Sequence, residues 1–183
     1  CEEGVVKMLL HLVQQAKPVF QGDVDGAILA FENRYRFRLA PQQQDAIRAV
    51  AAGGLCVVTG GPGTGKTTLV RALLWAMRGS AVKFLLCSPT GRAAQRLSET
   101  TGEDAATIHR LLKFNAQTGH FMHNRENPLE VGMLVVDEAS MLDIPLAWSL
   151  LRAIPAGATV VFVGDVDQLP SVGPGKFLKD LID

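Results

Sequence analysis

Leu55-Cys56-Val57-Val58-Thr59-Gly60-Gly61-Pro62-Gly63-Thr64-Gly65-Lys66-Thr67-Thr68 decides how this chain folds. The run from Leu55 to Val58 is apolar and rich in β-branched residues, as a buried strand requires. The glycines after it permit a tight turn, and the segment beyond Lys66 reads as a helix. Gly60 to Thr67 thus fits G-x-x-x-x-G-K-[ST] in the setting that gives the pattern its meaning, after a strand and opening a helix. In such a loop, successive backbone N–H groups curl around phosphates and the helix N-terminus adds positive potential. Lys66 is placed to reach the β and γ phosphates of a nucleotide, and the Thr67 hydroxyl to ligate Mg²⁺. Gly60, Gly61, Pro62, Gly63, Thr64, Gly65, Lys66, Thr67 and Thr68 form the candidate nucleotide-binding set.

Outward from this loop, strand and helix patterns alternate. A helix is expected from Gln42 to Ala51, broken by Gly53-Gly54. Downstream come a strand over Val82 to Cys87, a helix over Arg92 to Glu99, a strand over Met133 to Val136, a helix over Pro145 to Ala153 and a strand over Thr159 to Val163. Continuous apolar runs of this kind belong to parallel strands covered on both faces, and ligands then gather at the strands' C-terminal ends. The fold class is α/β, a mostly parallel sheet with helices on both faces and a short helical appendage ahead of it.

Met133 to Val136 ends in Asp137-Glu138, two acids at the mouth of a buried strand. An unpartnered carboxylate there is costly, and a metal relieves the cost. Asp137 is the candidate holder of Mg²⁺ through its water shell, and Glu138 the candidate general base for an attacking water. The polar stretch between Phe114 and Pro128 reads as a hairpin or surface loop. His120 and His123 have metal-like spacing but lack a carboxylate or cysteine partner in sequence, and are read as solvated loop residues.

The remaining 1–38 segment reads as two short helices broken at Lys17-Pro18 and around Gln21-Gly22-Asp23, with Asp23 capping the second. It is expected to be the end of a preceding domain or a linker packed on the 39–183 unit. The chain has 183 residues and starts at Cys1, from which a piece of a longer protein is expected. No apolar run nears the roughly 20 residues that span a bilayer, and Val5 to Val13 reads as an amphipathic helix rather than a leader, so a cytoplasmic protein is expected. Cys56 and Cys87 are expected as buried thiols. Eighteen basic and eighteen acidic residues cancel, which argues against holding nucleic acid by bulk charge. From Val131 onward, however, seven acids face three bases, leaving the earlier part net positive and able to carry a basic groove. Neither an NKxD tetrapeptide nor an LSGGQ-like signature is present, which disfavours GTPases and transporter ATPases.

Several short stretches occur in a telling order: Leu39-Ala40-Pro41-Gln42-Gln43-Gln44-Asp45-Ala46-Ile47, the glycine loop, Ser88-Pro89-Thr90-Gly91-Arg92-Ala93-Ala94, Thr107-Ile108-His109-Arg110-Leu111, Val136-Asp137-Glu138-Ala139-Ser140 and Gly164-Asp165-Val166-Asp167-Gln168-Leu169-Pro170-Ser171-Val172-Gly173. Together they resemble the first motor domain of a superfamily 1 DNA helicase, closest to the RecD-like family that includes the exodeoxyribonuclease V alpha subunit. The resemblance implies a RecA-like P-loop domain that hydrolyses ATP with Mg²⁺ and steps along single-stranded DNA in the 5′ to 3′ direction, unwinding duplex. It implies that Gln43 reads the adenine, with Gln42 and Gln44 blurring the assignment by one position. It implies that Gln168 senses the γ-phosphate, unless it is an ordinary surface amide. Pro89, Thr90, Gly91, Arg92, Thr107 and His109 are implied to lie against the strand, where hydroxyls, N–H groups and a guanidinium suit phosphates without base preference. Thr90 also suits a plain helix cap, and His109 a packed ring.

The family further implies a second motor domain in the same parent chain, possible nuclease-complex subunits, and no membrane. Its later motifs do not occur in these 183 residues. This piece alone is therefore expected to bind nucleotide weakly and turn it over poorly. A nucleotide-dependent switch subunit is the alternative class.

Overall fold

A computed structural model describes residues 2–78, 80–168, 175 and 177–182. Leu169 to Gly173, the second half of the last quoted stretch, lie outside the described residues. The helices are α1 (Glu2–Gln14), α2 (Val24–Tyr35), α3 (Pro41–Ala52), α4 (Lys66–Met77), α5 (Gly91–Thr101), α6 (Ile108–Leu111), α7 (Ile144–Ala153) and α8 (Phe177–Ile182). The strands are β1 (Leu55–Thr59), β2 (Phe84–Ser88), β3 (Ala105–Thr107), β4 (Phe114–Asn115), β5 (His120–Phe121), β6 (Met133–Val136) and β7 (Thr159–Gly164).

Five strands form one parallel sheet in the order β1-β7-β6-β2-β3, and β4 and β5 form a separate antiparallel hairpin. The middle strands read as continuous apolar runs because both of their faces are covered. In β6, Leu134 and Val136 enter the core shared with α1, α6 and α7, while Met133 and Val135 enter the core shared with α2, α3 and α4. β7 divides in the same way, Val160 and Phe162 to one side and Val161 and Val163 to the other. Each fully buried Val or Leu of this kind contributes roughly 1.5–3 kcal/mol.

Two expectations are corrected here. β1 is an edge strand, so Leu55 to Val58 are half-buried and Cys56 is not the buried thiol its apolar neighbours imply. The strand expected from Val82 begins at Phe84, since pairing with β6 starts there. One strand was not anticipated: β3 is only Ala105-Ala106-Thr107, too short and too weak in β propensity to stand out, and it exists by pairing with β2.

The 1–38 segment is packed into both cores. Val5, Leu9 and Leu12 of α1 enter the α7 side, where an added Cβ on Gly4 would fall 2.4 Å from the Trp148 ring. On the other face, Ile28 and Phe31 of α2 meet α4, with Phe31 and Trp75 ring centres 6.1 Å apart. Asp23 caps α2 by accepting from Gly26 N at 2.9 Å. Glu32, 3% exposed, ties α2 to the start of α3: it accepts from Leu39 N at 2.9 Å, Gln44 Nε2 at 3.0 Å and Arg38 Nη1 at 2.8 Å. Those bonds, the one from Leu39 foremost, hold its carboxyl below the usual carboxylate range. Among the described residues, no helix is long and apolar enough to cross a membrane.

Candidate nucleotide and nucleic-acid site

Parallel register brings the functional segments that follow the strands to one edge. Thr59 pairs with Gly164, Val136 with Phe162, Cys87 with Val136 and Ser88 with Thr107, so the loops after β1, β7, β6, β2 and β3 all leave the same side of the sheet. The loop from Gly60 to Gly65 turns there into α4. Gly63 and Gly65 have φ of 76° and 83°, angles that cost a residue with a Cβ. A Cβ added to Gly65 would also come within 2.6 Å of Gln43 Nε2, whereas at Gly61 and Gly63 it would meet nothing within 4 Å. The glycine loop is thus open at Gly61 and Gly63 and closed toward α3 at Gly65.

Thr64 steadies the turn by donating its hydroxyl to Gly61 O at 2.9 Å. The Lys66 ammonium donates to the carbonyls of Gly60 and Gly61, the latter at 2.9 Å. Phosphate oxygens are stronger acceptors for an ammonium than these carbonyls, so the cradle suits them better. Thr67 is half-buried in the first turn of α4, and its hydroxyl makes no side-chain hydrogen bond to the described residues. Gln43 is the glutamine of its triplet that touches the loop: Oε1 accepts from Ala40 N at 2.9 Å and Nε2 points at Gly65 O at 3.4 Å. Gln44 is committed to Glu32 instead. A cleft of about 400 Å³ is lined by Gln42, Gln43, Thr59, Gly60, Thr64 and Lys66, within the range that binds small ligands. A larger groove of about 470 Å³ runs between α1 and α8, but its lining is Val, Leu, Ile and Phe with a single acid, which offers phosphates nothing.

Asp137 extends the β6 ladder by one bond, its N–H donating to Cys87 O at 2.9 Å. Burial raises its carboxyl above the ordinary value; the Glu138 backbone N–H pulls it back, the Glu138 charge adds to the rise, and Arg96 and Lys66 pull down more weakly. A desolvated carboxylate gains from a nearby cation, and its chemistry suits Mg²⁺, as does the Thr67 hydroxyl, which has no partner among the described residues. Burial also pushes the neighbouring Cys87 thiol up, with Asp137 contributing. Glu138 follows with φ 53°, a left-handed conformation that a non-glycine residue adopts only at a cost. Its carboxylate lies 3.8 Å from Arg96 Nη2 of α5. The turn after β6 sits close to the end of β7 because Gly164 has no side chain; a Cβ there would stand 3.1 Å from Ser140 N. Across that contact Ser140 Oγ and Gln168 Oε1 are 3.5 Å apart.

The other segments use their polar atoms internally. Thr90 caps α5, accepting from Ala93 N at 3.3 Å, and Thr107 caps α6, accepting from Arg110 N at 3.1 Å. His109 is exposed yet packs its ring against Phe114 and Phe121 of the hairpin, at 5.7 and 5.6 Å. Pro89, Gly91 and Arg92 border the same edge, Arg92 exposed on the first turn of α5. His120 lies in β5 of the hairpin rather than in a loop, His123 follows it with Nδ1 3.2 Å from Asn127 O, and no group of three metal-ligating side chains occurs among the described residues. Sequence reasoning missed two side chains at this edge. Arg96 was signalled by its place four residues after Arg92 on one helix. Ser88, fully buried with no hydrogen-bond partner for Oγ among the described residues, carried no signal beyond ending a strand.

The profile of a protein family described as an AAA domain matches residues 43–174. The ATP-dependent RecD2 DNA helicase of Deinococcus radiodurans is 44% identical over 146 residues, covering 80% of this chain and 20% of that protein. The RecBCD enzyme subunit RecD of Mycobacterium tuberculosis is 38% identical over 210 aligned positions, covering 100% of this chain and 34% of that protein. The chain therefore spans about a fifth to a third of these curated relatives. Among solved structures, the Pif1 helicase of Candida albicans superposes with a TM-score of 0.55 at 26% identity, over 73% of this chain and 34% of that one, in keeping with the RecA-like α/β fold.

Proposed function

We propose a function from one premise: this chain belongs to the RecD-like helicase motor domains of superfamily 1. We infer that it binds ATP and, with a second motor domain, hydrolyses it to drive movement along single-stranded DNA in the 5′ to 3′ direction and to unwind duplex. The observation that carries this reading is the convergence, at one sheet edge, of the glycine loop, the Asp137-Glu138 pair and Gln168.

In this reading, loop N–H groups and Lys66 bind the ATP phosphates, and Gln43, already braced on Gly65, borders the adenine side of the cleft. Thr67 and Asp137 hold Mg²⁺, which supplies charge neutralisation on the phosphates when bound. Glu138 takes the proton of the attacking water. Gln168 links the γ-phosphate side to the turn at Ser140. The strand lies against Pro89, Thr90, Gly91 and Arg92 and against Thr107 and His109, held by phosphate contacts that carry no sequence information. An arginine supplied from outside this chain completes charge stabilisation, a contribution of roughly 10³ to 10⁵ in rate in related chemistry. These 183 residues alone are therefore slow. The relatives named as subunits of RecBCD support a place for the complete protein in a nuclease-helicase assembly, and the compartment is the cytoplasm.

The test is ATP turnover with and without single-stranded DNA, using this chain within its natural reading frame, beside Lys66→Ala. Strong stimulation by DNA that vanishes in Lys66→Ala is the expected result. Turnover that depends on Lys66 but ignores DNA would instead make the protein a nucleotide-dependent switch.

A further inference from the structure

Arg96 joins the acid pair after β6 to the helix that Thr90 caps. It lies on α5, the helix that Thr90 caps and Arg92 opens, and its guanidinium reaches Glu138. Arg92 and Arg96 are four residues apart, so they stand one turn apart on one face of α5, while Ala94 and Leu97 bury the opposite face. The face that would meet a strand's phosphates thus carries two guanidiniums in a row, and the second is engaged by the acid pair.

The engagement is weak by design of its geometry. Nη2 and Oε1 are 3.8 Å apart with no hydrogen bond between them, and Arg96 is 68% exposed against 19% for Glu138. Exposed ion pairs contribute little and are easily exchanged. The Glu138 backbone is left-handed, with φ 53°, and rotation about its side-chain bonds redirects the carboxylate without moving that backbone. Lys66, the other cation near the acid pair, is held by the loop carbonyls of Gly60 and Gly61.

We propose that Arg96 is a positioning residue that couples strand binding to hydrolysis: without a strand it holds the Glu138 carboxylate toward α5, and a strand phosphate that takes the guanidinium frees Glu138 to face the attacking water. The inference rests on the reading of Glu138 as base and of α5 as a strand-facing helix. It concerns the regulation of that site, and adds no new chemistry to it.

The experiment measures ATP turnover at zero and saturating single-stranded DNA for wild type, Arg96→Gln and Arg96→Lys, each within the natural reading frame. Arg96→Gln is expected to raise DNA-independent turnover roughly two- to fivefold, the range an exposed ion pair can supply, and to shrink the DNA stimulation ratio by the same factor. The KM for ATP stays unchanged, and Arg96→Lys keeps the wild-type ratio. A purely structural role would lower turnover with and without DNA alike. That outcome, or an unchanged ratio in Arg96→Gln, overturns the coupling while leaving a DNA-stimulated wild type intact. A wild type whose turnover ignores DNA overturns both readings.

Discussion

The glycine-loop corner and the segments after β2 and β3 share one edge of the sheet, yet they spend their polar groups differently. At the first, among the described residues, Lys66 binds only carbonyls of its own loop, Thr67 has no side-chain partner, and Asp137 sits desolvated. At the second, Thr90 and Thr107 are helix caps and His109 packs on two phenylalanines. A polar side chain with no internal task is explained by what it binds. One that already completes a helix end has a reason to exist without any ligand, so its substitution mixes folding with binding.

The sharpest way to break this comparison is Glu138→Gln. Turnover should fall about 10² to 10⁴-fold, the usual contribution of a general base, with nucleotide binding and melting temperature little changed. A large loss of stability would place Glu138 in the structural class instead. Next in size is Thr90→Ala, and separately Thr107→Ala. Each should cost about 1 kcal/mol in denaturant titration by loss of a cap, beyond any loss of strand affinity. Thr67→Ala, by contrast, should leave stability almost unchanged while weakening Mg²⁺-dependent turnover, and equal destabilisation at the two corners would erase the distinction.

Asp137→Asn should raise the melting temperature of the ligand-free protein. The sign follows from the direction of the shift. Because the folded carboxyl value lies above its ordinary 3.8, the charged form is disfavoured in the fold, and stability from this group falls as pH rises from there through the raised value. The loss persists at neutral pH, and asparagine removes it, so between pH 3.8 and the raised value the wild-type stability profile should be steeper than that of the variant. Melting curves at several pH values, without nucleotide or Mg²⁺, check both points. The smallest effect belongs to Ser88→Ala. Its buried hydroxyl has no partner among the described residues, so removal should shift stability by no more than about 0.5 kcal/mol, in either direction, in denaturant titration. A loss well beyond that would reveal a task the geometry does not display.

Sequence alone determined what backbone chemistry and local pattern dictate. The glycine loop, the buried strands β6 and β7, the caps at Asp23 and Thr90, and the acids at the end of β6 were legible because each depends on residues adjacent in the chain. The family resemblance was legible for the same reason, since it rests on the order of short stretches. What only the tertiary structure decided depends on partners far apart in sequence. β1 became an edge, which left Cys56 half-exposed, and Ala105 to Thr107 became a strand by pairing with β2. Of three successive glutamines, Gln43 was turned to the loop and Gln44 to Glu32 by the packing of α2 on α3 and α4. Arg96 met Glu138 across 42 positions of chain, a contact that no local pattern encodes, because it exists only once parallel register has brought the ends of β2 and β6 together.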